Sequence, residues 1–246
     1  MSDQISGKVT EFLRSPVWRV AFTRGDLNTQ VTAIEAFLSA LDSEGDAVDI
    51  YCTLDWLFHT YVTHGAILDA IHVLARIDDL LVPEDDDQSF MIARTLFDRC
   101  DELVLAEKYV KQALKVGKRN WTYYAAVNSL YLAVEVKKDP GSAKVQELLK
   151  TICDLTIWTQ FFSHHLLEAL STLVPMGLVK WWGRAILEAL WARRAVNERF
   201  LGGTEPSQKR ESLPTSAILV KIVELHALLP ASSRQVPPAP TSDING

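Results

Sequence analysis

The stretch Leu54-Asp55-Trp56-Leu57-Phe58-His59-Thr60-Tyr61-Val62-Thr63-His64-Gly65-Ala66-Ile67-Leu68-Asp69-Ala70-Ile71-His72-Val73-Leu74-Ala75-Arg76-Ile77 reads as two helices joined at His64-Gly65. Leu54, Leu57, Phe58 and Tyr61 recur at spacings of three and four, which gathers them on one helix face. Ala70, Leu74 and Ile77 do the same on the second helix. A helix pair with one apolar face on each arm cannot bury both faces alone. It has to stack on neighbours of the same kind.

The neighbours are present. Val17, Val20 and Ala21 with Ala33, Phe37 and Ala40 form an earlier copy of the unit. Phe90, Ala93 and Phe97 with Ala106, Val110 and Ala113 form a later one. A frayed fourth copy reads Leu132, Ala133 and Val136 with Val145, Leu149 and Ile152. The small residues Ala33, Ala70 and Ala106 are 37 and 36 residues apart, and Val145 follows 39 later. Such a period signals a stacked helical array. Small residues at helix crossings let the axes approach to about 8–10 Å. Period-2 alternation is nearly absent, so no sheet is expected.

These copies resemble tetratricopeptide repeats over roughly residues 16–152. The resemblance rests on a large apolar residue opening the first helix, a small residue where the helices cross, an aromatic closing the first helix, and alanine recurring on the second. Leu54, Leu57, Tyr61, Gly65, Ala70, Leu74 and Ile77 follow that order, as do Phe90, Ala93, Phe97, Ala106, Val110 and Ala113. Phe58 and Arg94 stand where that family prefers a small residue, and a closing proline is present only loosely, at Pro83. The resemblance implies an all-α, right-handed α–α superhelix of helical hairpins that grips a partner on its concave face.

The expected organisation is a repeat region over 1–153, an aromatic-rich helical cap over 154–202, a linker with a short docking helix over 203–229, and a disordered tail over 230–246. Ser15-Pro16 starts a helix, since serine caps and proline suits the first turn. Asp154 is expected to cap a long apolar helix reaching Leu173, broken by Pro175-Met176-Gly177. A last long helix follows, over 178–201, ended by Gly202-Gly203. Thr215–Leu229 is too apolar to remain in water and should dock on the body. The tail contains Arg234, Pro237 and Pro240, an Arg-x-x-Pro-x-x-Pro pattern.

Charge is unevenly spread. Residues 1–110 carry 20 acidic and 8 basic side chains, a net of −12, whereas residues 111–246 carry 11 and 17, a net of +6. The acidic half repels phosphates, so nucleic acid is not expected as its ligand, and it suits a basic partner. Cys52, Cys100 and Cys153 are far apart and form no Cys-x-x-Cys, which argues for a reducing, cytoplasmic setting without a zinc site. Polar residues interrupt the apolar run Leu155–Val179 too often for a spanning helix, so no stable membrane insertion is expected.

Chemistry-bearing motifs are sparse. No phosphate-cradling glycine loop, Gly-x-Ser-x-Gly or His-Glu-x-x-His occurs. The nearest polar constellation is His164, His165 and Glu168, which share a helix face. An enzyme or metal protein centred there is the least favoured reading; the imidazoles are expected to be satisfied by the Glu168 carboxylate or by backbone. The run Glu84–Asp87 is read as complementing a helix dipole, not as a cation site. Neither a cofactor nor a metal is expected, and no catalytic residue is nominated. The leading expectation is a non-catalytic scaffold or adaptor that binds a protein or peptide through His59, Tyr61, Arg94 and Phe97, with Trp181 and Arg184 on the last long helix. The alternative is a dedicated inhibitor or chaperone for one cognate, basic partner.

Overall fold

The computed structural model describes residues 7–42, 45–80, 86–116, 121–159, 163–192 and 215–229. Among them the chain is all-helical, with no strand. None of these helices is long and apolar enough to cross a membrane. The chain divides into two compact units, Met1–Glu102 and Leu103–Gly246. The division falls between the two helices of the third sequence copy. The acidic run at 84–87, the stretch at 193–214 and the tail from residue 230 lie outside the residues whose side chains are described.

In the first unit, α1 (Gly7–Arg14), α2 (Pro16–Arg24), α3 (Leu27–Ser39), α4 (Ala47–Thr63) and α5 (Ile67–Asp78) each pack on the next. Helix α4 also takes α1 and α6 (Asp86–Thr95), so it is the hub of the unit. The inward stripe of α4, Leu54, Leu57 and Phe58, is fully buried, as is Ala70 at the crossing with α5. Helix α6 continues into one wide π-helical turn, Leu96–Cys100, closed by Asp101 in the left-handed region at φ 55°. The helix marked in the sequence by Phe90, Ala93 and Phe97 therefore changes pitch in its last turn.

Local chemistry sets the ends. Ser15 Oγ accepts the Trp18 backbone N–H at 3.1 Å, with Pro16 in the first turn of α2. Gly25 ends α2 at φ 68°, a conformation that costs glycine nothing, and its N–H donates to the Ala21 carbonyl. Asp26 Oδ1 then accepts the Thr29 N–H at 2.8 Å to start α3. Gly25 and Asp26 thus reverse the chain in two residues. The first sequence copy is turned relative to its reading. Trp18 and Ala21 face inward, while Val17 and Val20 are 61% and 51% exposed. Trp18 carries far more apolar surface than either valine, and the rotation that buries it leaves them outside.

In the second unit, α8 (Trp121–Lys138) is central. It packs on α7 (Leu103–Val116), α9 (Ala143–Thr159) and α10 (His164–Leu173). Every residue from Val127 through Val136 is buried, which is how a helix apolar on all sides behaves. The polar members are satisfied locally: Asn128 Nδ2 donates to the Tyr124 carbonyl and Ser129 Oγ to that of Ala125, both at 2.8 Å. Helix α11 (Lys180–Ala192) packs on α9.

The break expected at Asp154 does not exist. Helix α9 runs through it to Thr159, because one exposed aspartate on a helix surface needs no cap role. The cap is Ser163, whose Oγ accepts the Leu166 N–H to open α10. The expected docking helix is α12 (Thr215–Ala227). It seats on α10 and α11 through Ile222 and Leu225, with Leu229 just beyond its end. His226 stacks on Trp191, rings 4.6 Å apart and 7° from parallel, and its Nε2 lies 3.1 Å from Glu188 Oε2.

Candidate functional site

The first unit contains an open cavity of about 380 Å3 between α2, the start of α3 and the second half of α4. Trp18, Phe22 and Gly25 line it from α2, Gln30 from α3, and Trp56, His59, Thr60, Thr63 and His64 from α4. Helical periodicity explains the set. Positions 18, 22 and 25 share one face of α2, and positions 56, 59, 60 and 63 share one face of α4. The tight Gly25-Asp26 reversal brings Gln30 back alongside α4, where its Oε1 lies 3.3 Å from His64 Nε2.

Rings form the walls. Trp18 and Trp56 meet edge to face at 4.1 Å and 68°. Phe22 leans on Trp18 at 6.0 Å, yet is 69% exposed. Behind them Phe12 touches Trp18, Phe37 and Trp56, stacking on Phe37 at 4.3 Å. The aromatic cluster is therefore anchored at the back and open at the front.

The polar groups of the cavity are largely committed. Thr60 Oγ1 donates to the Trp56 carbonyl at 2.9 Å and Thr63 Oγ1 to that of His59 at 2.7 Å. His59 Nε2 stands 3.5 Å from Asp55 Oδ1. Burial, followed by the nearby Arg99 charge, holds the imidazole below its ordinary range. Both effects disfavour the charged form, so His59 is neutral at physiological pH and its contact with Asp55 is not an ion pair. The surface offered to a ligand includes ring faces, the two threonine side chains, the uncharged His59 imidazole and the Gln30–His64 pair.

Of the residues nominated from sequence, His59 lies in this cavity. Tyr61, two positions on, points to nearly the opposite side of α4. Burial and the carboxylates of Asp69 and Glu35 raise its phenol above the ordinary value. Arg94 is half-buried and pairs with Asp98 at 3.3 Å. Phe97 is 2% exposed, so its ring belongs to the core and cannot line a groove. Trp181 is half-exposed and meets Trp182 edge to face at 4.2 Å. Arg184 shares α11 with it, and its Nε is buried. Of the two partners expected for the histidines, Glu168 or backbone, Glu168 is engaged elsewhere. Glu168 is exposed and faces Lys137 on α8 at 3.8 Å, while the rings of His164 and His165 lie 3.7 Å from each other.

Trp18, Phe22, Gln30 and Trp56 were not legible as a site. The signal that finds them is the i, i+4, i+7 spacing of Trp18, Phe22 and Gly25 beside the one-face set Trp56, His59, Thr60 and Thr63. Comparison with known proteins returned no match to a family model, a curated protein or a solved structure.

Proposed function

We propose that this chain is a non-catalytic interaction module, in which tetratricopeptide-like helical hairpins hold a segment of a partner protein. The α2–α4 cavity of the first unit is the place where that segment is gripped. The repeat supports the array: its small residues Ala33, Ala70 and Ala106 are buried, as crossing positions must be. One observation carries the site. Phe22 presents an exposed ring at the mouth of an aromatic cavity whose two threonine hydroxyls are already hydrogen-bonded within the protein. Ring-walled concavities with few free polar groups are suited to gripping an anchor side chain.

A photo-crosslinking amino acid tests the reading. Placed at Phe22 in cells, it should give one dominant adduct. Placed at Leu68, an apolar residue equally exposed on α5, it should give none. No adduct at Phe22, or the same adducts from both positions, would overturn the proposal.

A further inference from the structure

Resting on that reading, we infer that the anchor gripped by the cavity is an arginine of a basic peptide segment, stacked on the rings of Trp18, Phe22 and Trp56. Two independent observations converge on this chemistry. The first is the wall of the cavity. Three aromatic rings line one open space, and the exposed one, Phe22, stands at its mouth. A guanidinium is flat and weakly hydrated, and it is attracted by the negative face of an aromatic ring.

The second is the charge of the unit that carries the cavity. Met1–Glu102 holds 19 carboxylates against 7 lysines and arginines, a formal −12, while the other unit is +6. Three of those seven cations are held in ion pairs: Lys8 with Asp46, Arg76 with Glu35 and Arg94 with Asp98. Arg19 and Arg24 on α2 are solvent-exposed, and Asp26 lies close enough to Arg24 to feel its charge. Within the lining, burial keeps His59 neutral. A field of this sign draws in a positively charged segment and turns away an acidic one. An uncharged aromatic anchor would fit the rings but leaves the charge unused. A guanidinium uses both.

The test uses the full chain with its tryptophan indoles labelled with nitrogen-15, the signals of Trp18 and Trp56 being assigned by Trp18→Phe and Trp56→Phe. The probes are acetylated, amidated alanine hexapeptides bearing two arginines, two citrullines or two glutamates. The arginine peptide should move the Trp18 and Trp56 signals. The citrulline peptide, close in shape but uncharged, should bind about tenfold more weakly. Binding should weaken with added salt, and Phe22→Ala should weaken it several-fold. Equal binding of the citrulline peptide would overturn the arginine anchor and leave the cavity as a groove for uncharged segments. The glutamate peptide moving the same two signals would overturn it as well, as would an arginine peptide that moves neither. The Phe22 crosslink fails or succeeds separately from all three.

Discussion

The indole of Trp18 on α2 meets that of Trp56 on α4 at 4.1 Å and 68°, and this contact ties the first helix pair to the second. Both rings line the cavity, but with unequal structural duties. Trp18 is buried, while Phe22, one turn further along the same face, is mostly exposed. Structure and binding can therefore be separated by mutation. Trp18→Ala should destabilise the protein by about 3–4 kcal/mol. Phe22→Ala should cost no more than about 0.5 kcal/mol, as surface changes usually do. Urea denaturation of both variants checks the difference. A large loss from Phe22→Ala would mean that its ring is packed, not presented.

Lys8 on α1 donates to both oxygens of Asp46, at 2.7 and 2.6 Å, and the Asp42 N–H donates to Oδ2 at 2.9 Å. The Lys8 bond and the Asp42 N–H hold the Asp46 carboxyl below 3.8. The Asp46 bond raises the Lys8 ammonium above 10.5. The signs follow by linkage. The Asp46 contribution is complete above about pH 3.8 and is lost as pH falls through its depressed native value. The Lys8 contribution is complete below about pH 10.5 and is lost as pH rises through its raised native value. Protection of the α1 amides, taken relative to their intrinsic exchange rates, should therefore fall at both extremes. In Asp46→Asn the acid-side change attributable to this pair should vanish.

Gly183 sits one turn into α11 with no room for a side chain. A Cβ there would lie 2.6 Å from Val179 Cβ, an atom fixed close to its own backbone. Gly183→Ala should therefore lower stability by about 1–3 kcal/mol, despite alanine's better helix propensity. Thermal unfolding of the variant measures it. An unchanged or raised midpoint would show that the start of α11 can shift freely.

Burial pushes the Cys153 thiol up to about 12, with the adjacent Asp154 charge adding to it. Burial and Glu102 also raise the Cys100 thiol. Thiolate is the reactive form. Under native conditions at pH 8, iodoacetamide should leave Cys153 unmodified, and unfolding in urea should expose it. Mass spectrometry of pulse-labelled protein gives the answer residue by residue. Native labelling of Cys153 would contradict its burial in α9.

The apolar faces of α4 and α5 were legible because they are written in side chains that face inward. Leu54, Leu57, Phe58, Ala70, Leu74 and Ile77 are all buried, at the spacing that predicts them. The first copy misled because valines and a tryptophan compete for one helix face, and periodicity alone does not rank them by size. Phe97 misled for the opposite reason. An aromatic that closes a helix reads the same whether it faces a groove or a core, and here the core took it. Asp154 misled because a capping residue type is also an ordinary solvent-facing residue within a helix.

The sequence by itself determined that the chain is helical, roughly where most helices begin and end, and which faces are apolar. Those are local properties, governed by spacing within a few turns and by residues such as Ser15, Gly25 and Gly65. The cavity was decided only by tertiary structure. Trp18 and Trp56 are 38 residues apart in the chain, and what brings them into contact is the two-residue reversal at Gly25-Asp26 together with the packing of α3 on α4. Side chains distant in sequence become one site only when whole helices are docked, and that docking is set by summed burial over many residues.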